Sequence, residues 1–230
     1  EAAEAKTAFA GIPIDTIVYN GVFAGPVLRV RPGDTMRILL KNRLNEPTNL
    51  HFHGIQTSPL GNSDNVHIAV PAGTDFAYEV KIPAHQPPGA YWYHAHMHGS
   101  AERQVGLGLS GALMVDGFAD TVPGLTGIRE RLLTLKSIDA DDNDNDTVAD
   151  EWHGIVQTVN GGLAVAETAQ PNETVLWHVT NHDANKAVQL VLDGHKFLVV
   201  GRDGAAIPAP YETEILRLFP AARFEVLVTA

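Results

Sequence analysis

No cysteine occurs anywhere in the 230 residues. Disulfides, iron–sulfur clusters, thiolate catalysis and cysteine-bearing zinc fingers are excluded with it. A blue-copper centre of the usual kind is excluded too, because its trigonal ligand set needs a thiolate. Basic residues are also scarce: 16 Lys and Arg against 27 Asp and Glu leave a formal net charge of −11. A surface of that sign repels phosphate backbones and anionic headgroups, so neither nucleic acid nor an anionic membrane surface is an expected partner. No run of about 18 apolar residues is present, so no membrane span is expected. The first residues, Glu1-Ala2-Ala3-Glu4-Ala5-Lys6, lack the basic and apolar segments of a signal peptide, which suits a cytosolic chain and a mature secreted chain equally.

What the sequence has in quantity is turn residues, 21 Gly and 14 Pro, scattered without a repeat. Turn signals recur roughly every ten residues and no long 3.6-period segment appears, a pattern of short strands in a β-sandwich or Greek-key barrel. Strands are expected at 16–19, 27–30, 35–42, 49–55, 75–82, 91–94 and 112–115, with a short helix fitting only at 103–109. Residues 117–127 read as a linker, after which strands resume at 131–137, 155–159, 174–180, 187–192, 197–200, 213–218 and 224–229. Asp193-Gly194 reads as a hairpin turn. The expected organisation is two all-β units, 1–118 and 127–230. The second ends on Phe224-Glu225-Val226-Leu227-Val228 with no closing hairpin, which would expose an edge. It is therefore expected to be incomplete at its C-terminal end, and the chain a fragment of something longer.

The chemistry concentrates in histidine. His51-Phe52-His53-Gly54 and His94-Ala95-His96-Met97-His98-Gly99 place imidazoles at alternate positions, which a strand turns to one face. One such pair reads equally well as two packed polar residues. Two pairs, each followed by a turn glycine, point to a metal. With no cysteine and no obvious carboxylate partner, copper is favoured over structural zinc, and a three-histidine zinc hydrolase is the weaker alternative. A cupin would need a Glu shortly after the first pair, where Gly54-Ile55-Gln56-Thr57 stands instead. His67 and His85 read as surface residues, His178 as a strand residue and His195 as a hairpin residue. Met36, Met97 and Met114 read as packing, and Trp92 and Tyr93 as core aromatics. The run Asp139–Asp146 alternates oxygen ligands but lacks the glycine and glutamate of a calcium loop, so a solvated acidic loop is expected.

Together, His51-Phe52-His53-Gly54 and Tyr91-Trp92-Tyr93-His94-Ala95-His96 resemble the first two copper motifs of the multicopper oxidases, the laccase-like enzymes. Arg31-Pro32-Gly33-Asp34, Gly61-Asn62-Ser63-Asp64 and Gly108-Leu109-Ser110-Gly111 are similar to segments of that family's first domain. Thr158-Val159-Asn160-Gly161, Trp177-His178-Val179-Thr180-Asn181, Leu192-Asp193-Gly194-His195 and Arg223–Val228 are similar to its second. The resemblance implies two cupredoxin-like Greek-key β-sandwich domains. It implies a reaction coupling one-electron oxidation of a substrate to reduction of O2 to water. By the motif match, His51 would bind a type 2 copper, His53 and His94 would share one type 3 copper, and His96 would bind the other. Asp64 stands where the family has an acidic residue implicated in proton delivery, and His98 lies outside the matched motifs. The family's remaining cluster ligands and its blue-copper cysteine have no counterpart here. The implied partners are a missing carboxy-terminal cupredoxin domain or its chain, O2, and a small reducing substrate or metal ion, with homo-oligomerisation left open. A secreted or periplasmic location is implied. The alternative is a non-catalytic copper-binding or interaction protein of the same fold, as some cell-division relatives are.

Overall fold

A computed structural model describes residues 1–9, 11–139 and 155–230. The calcium reading of 139–146 therefore lies, apart from Asp139, outside the described residues, as does His153. The chain opens on an antiparallel hairpin of β1 (Ala2–Phe9) and β2 (Ile12–Tyr19), running in register from Ala2 opposite Tyr19 to Phe9 opposite Ile12. The sequence hides β1 because its Ala, Glu and Lys favour helix over strand. Next come β3 (Leu28–Val30), β4 (Thr35–Lys41), β5 (His51–His53), β6 (Asp75–Lys81), β7 (Gly89–His94), α1 (Ala101–Gly106) and β8 (Ser110–Val115). One sheet has the order β3-β8-β7-β5, and β4 pairs with β6 in a second layer. Between the layers lies a core that includes Leu40, Phe52, Tyr78, Val80, Tyr91, Tyr93 and Leu113. Burying a side chain such as Phe52 contributes on the order of 1.5–3 kcal/mol of transfer free energy.

The stretch 117–127 connects the two halves and is itself packed. It folds a single turn, α2 (Phe118–Thr121), whose Phe118 packs with Leu125, Leu176 and Val200. Beyond it run β9 (Arg129–Asp139), β10 (Ile155–Val159), β11 (Thr174–Asn181), β12 (Val188–Val191), β13 (Phe197–Arg202), β14 (Ala205–Thr213), β15 (Ile215–Leu218) and β16 (Arg223–Thr229). Six of them form a sheet ordered β10-β9-β11-β16-β13-β14, and β12 pairs with β15. The exposed-edge expectation for the last strand is corrected by this order: β16 lies inside the sheet, hydrogen-bonded to both β11 and β13. The hairpin expectation at Asp193-Gly194 is corrected as well. A turn is there, but β12 and β13 on either side of it belong to different sheets. The unexpected β14 contains Pro208 and Pro210, which an edge position tolerates because one side of the strand needs no donors.

All six residues of β7 are buried. Tyr91 and Tyr93 point into the amino-terminal core. Ala90, Trp92 and His94 take the opposite face, against the carboxy-terminal half. There the Ala90 amide donates to Glu225 Oε1 at 2.9 Å, and Arg223 Nε donates to the Ala90 carbonyl at 3.2 Å. Tyr91 reaches across too, its hydroxyl donating to the Gly204 carbonyl at 2.9 Å. The strand that ends in His94 is thus clamped by both halves. Among the described residues, no helix is long and apolar enough to cross a membrane.

Candidate metal centre

Two strands build the site. β5 lies antiparallel to β7 with His51 opposite His94 and His53 opposite Trp92. Phe52 turns the other way and is fully buried in the core, so the two flanking histidines share the outer face. Gly54 then reverses the chain at φ +87°, where a Cβ would come within 2.9 Å of both Arg223 and the Tyr91 ring. One nitrogen from each of His51, His53 and His94 falls within a common 4.8 Å. His53 Nδ1 and His94 Nε2 are 3.4 Å apart. Two imidazole nitrogens bound at about 2.0–2.1 Å and a tetrahedral angle to one metal stand roughly that far apart.

His96 takes a different position. It is exposed, its ring centroid lies 5.2 Å from that of His51 and 5.9 Å from that of His94, and it falls outside the tight three-nitrogen group. Its backbone is fixed, because its amide donates to Asn49 Oδ1 at 2.7 Å. The fully buried Asn49 is itself tied to the Val66 and Ile68 carbonyls. His67, His85 and His98 are exposed.

Hydrogen bonds set which nitrogen each ring presents. Asp64 Oδ1 is 2.9 Å from His51 Nδ1 and also accepts from the Phe52 amide at 2.9 Å. A carboxylate only accepts, so His51 carries its proton on Nδ1 and leaves the Nε2 lone pair free. The Ala95 carbonyl, 2.9 Å from His94 Nδ1, does the same for His94, whose Nε2 faces His53. Burial, then the charge of Arg223, lowers the His53 pKa to about 4. Burial also holds His94 well below the ordinary histidine range. Both rings are therefore neutral at pH 7, the form that binds metal.

Supports for the site come from its own aromatic run and from the carboxy-terminal half. The Trp92 ring stacks on His94, centroids 4.1 Å apart at 28°, and also stacks on His182 from the carboxy-terminal half at 5.1 Å and 18°. Arg223 lies 5.5 Å from the Tyr91 ring centroid. The sequence marks His182 as a structural histidine of the second unit but does not reveal its stack on Trp92, and it gives no packing role to Arg223. A signal for Arg223 was available: Arg223 and Glu225 alternate at the start of a strand that is otherwise apolar up to Val228, so both charges had to face another part of the chain.

Sequence and structure comparisons agree on what holds this arrangement. A multicopper oxidase family model matches residues 1–119, and a second multicopper oxidase model matches residues 139–230. The chain belongs to the multicopper oxidase family. It is 26% identical to the multicopper oxidase MmcO of Mycobacterium tuberculosis, covering 98% of this chain and 50% of that protein. The cell division protein FtsP of Yersinia pestis is 26% identical over 91% of this chain and 45% of its own length. A solved multicopper oxidase from Campylobacter jejuni, described as a metallo-oxidase, superposes with a TM-score of 0.80 at 29% identity, covering all of this chain and 49% of that one. The chain spans about half the length of the curated relatives it matches. The fold is that of the multicopper oxidases, all-β and cupredoxin-like. Copper is the cofactor of the multicopper oxidase family, and the residues present fit it: neutral imidazoles converge without a thiolate, with protons held on the outward nitrogens.

Proposed function

We propose that this chain forms one side of the oxygen-reducing copper cluster of a multicopper oxidase. The whole protein would couple one-electron oxidation of a small reducing substrate or metal ion to reduction of O2 to water. His51, His53, His94 and His96 are the proposed copper ligands, with His53 and His94 on a shared metal. The observation that carries this reading is the 3.4 Å approach of His53 Nδ1 to His94 Nε2, two neutral nitrogens facing one another across paired strands. Copper bound there would supply the redox chemistry and the binding of O2. The chain's own residues supply the rest. Asp64 orients His51 and, with its side chain 11% exposed, is the proposed carrier of protons to the site. Trp92, stacked on His94, fixes the plane of that ring. The remaining ligands and the substrate-oxidising copper would come from a further cupredoxin domain or its chain, since this sequence has His-x-His spacing at only two places, 51–53 and 94–98, and no cysteine. A secreted or periplasmic location belongs to the same proposal.

Copper titration followed by EPR and optical spectroscopy tests it. The expected result is copper(II) in nitrogen coordination with no intense blue absorption, because no thiolate is present to produce one. Binding of zinc with no preference for copper would overturn the reading.

The match to FtsP favours a second reading, a copper-binding or interaction protein of this fold without turnover. Oxygen uptake separates the two once the copper-loaded chain is assembled with the remaining His-x-His motifs and given a reductant. An oxidase consumes O2 and a binding module does not.

A further inference from the structure

Behind the histidine cluster, along the seam between the two halves, several buried polar atoms have no protein partner. They are Trp92 Nε1, Ser110 Oγ, both ring nitrogens of His182 and Lys136 Nζ, each sealed from solvent and without a hydrogen bond among the described residues. Ser110, His182 and Lys136 are fully buried and Trp92 nearly so.

They lie on the two sides of that seam and are joined by the contact of His182 with Trp92. Ser110 is paired with His94 across β7 and β8, and Trp92 lies two residues before His94, so all three project from one face of the sheet. From the other half, the His182 amide donates to the Leu135 carbonyl at 2.9 Å, which brings His182 beside Lys136 on β9. The His182 ring then stacks on Trp92. The neighbours of Lys136 do not satisfy it. Asp183 Oδ1 is 3.9 Å away, and that carboxylate already accepts from the Ser137 amide at 2.7 Å and the Ser137 hydroxyl at 2.8 Å. The Phe23 ring centroid lies 6.0 Å off. Buried polar groups left unpaired are costly and rare, and internal water is their usual partner.

The donor set defines the occupant. Trp Nε1 and an ammonium only donate, so the occupant must accept. Neutral His182 offers one donor and one acceptor nitrogen, so the occupant must also donate. A cation is repelled by Lys136, and a halide accepts but cannot donate. Water does both. We propose that the seam between the halves holds an internal solvent site, with ordered water bound by Lys136, His182, Trp92 and Ser110. Burial, opposed by Asp183, brings the Lys136 pKa down to about 8, so this solvent hydrates an ammonium that is mostly charged at neutral pH. The site adjoins Trp92, whose ring stacks on His94, whereas Asp64 contacts the cluster at His51.

A near-atomic-resolution crystal structure of the chain tests the site directly. The expected result is ordered water at about 2.7–3.2 Å from Lys136 Nζ and from a ring nitrogen of His182. A dry seam, with those atoms bonded to protein groups, would overturn the proposal. So would an anomalous signal in the seam after a bromide soak. Lys136→Met should remove the water at Nζ while copper binding stays the same. Should that variant fail to fold, long-lived water-to-amide NOEs at Ser137 and His182 in the unmodified chain decide, being present if the solvent is there and absent if it is not.

Discussion

Both halves of the chain put histidines on β-strands, and the neighbours of those histidines make the difference. In the amino-terminal half His51, His53 and His94 face one another, and burial and nearby charge keep His53 and His94 neutral. In the carboxy-terminal half His178 on β11 faces carboxylates. Its Nε2 is 3.0 Å from Glu130, and its Nδ1 lies 3.8 Å from Glu225, an ion-pair separation rather than a hydrogen bond. Burial opposes charge on His178, but the hydrogen bond to Glu130 and the Glu225 carboxylate outweigh it and raise its pKa. Histidines set against each other are free to bind a metal. A histidine set against two acids has its charged form favoured and ties strands together.

The largest effect that would sharpen this contrast is on stability. Replacing His178 with Leu takes the imidazole away from the fully buried Glu225 and removes the hydrogen bond to Glu130, and should destabilise the chain by about 1–3 kcal/mol in chemical denaturation, with copper affinity unchanged. Equal loss of copper binding would erase the distinction between the halves. Next comes the pH dependence of the metal-free chain, where the two halves should pull in opposite directions. His53 has a folded pKa near 4 against 6.5 unfolded, so its stabilising contribution is full above pH 6.5 and lost as pH falls toward 4, on the order of 2–3 kcal/mol. The raised pKa of His178 gives a contribution that is full below pH 6.5 and lost as pH rises through its folded value. Fully buried His182, its pKa lowered by burial and by Lys136, is the exception in its half and follows His53. Denaturation midpoints on either side of pH 6.5 in wild type, His53→Ala and His178→Leu resolve the two slopes. The smallest effect is at Asp64. Asp64→Asn removes the carboxylate that fixes the His51 tautomer and should weaken copper binding about 10–100-fold by calorimetry, leaving the fold intact.

The same contrast explains what the sequence revealed. The histidine pairs were legible because the strand period acts locally: alternate residues share a face whatever the rest of the chain does. The glycine after His53 was legible as a turn for the same reason, and Gly54 does adopt positive φ. What could not be read depends on distant partners. Nothing near His178 in sequence announces Glu130 or Glu225, each more than forty residues away. The stack of His182 on Trp92 and the clamp of Arg223 on Ala90 are likewise contacts between halves. The final strand looked like an edge because its neighbours, β11 and β13, both precede it in the chain. Strand β14 was hidden by Pro208 and Pro210, residues that rule out a central strand and leave an edge strand permitted.

The most direct test of the central claim is calorimetric copper titration of the chain beside its His53→Ala/His94→Ala variant, with circular dichroism to confirm that both are folded. The facing-imidazole site predicts that the variant keeps its strand signal and loses copper affinity by at least about 100-fold, more than loss of an orienting residue would cause. A folded variant that binds copper as tightly as the unmodified chain would contradict it.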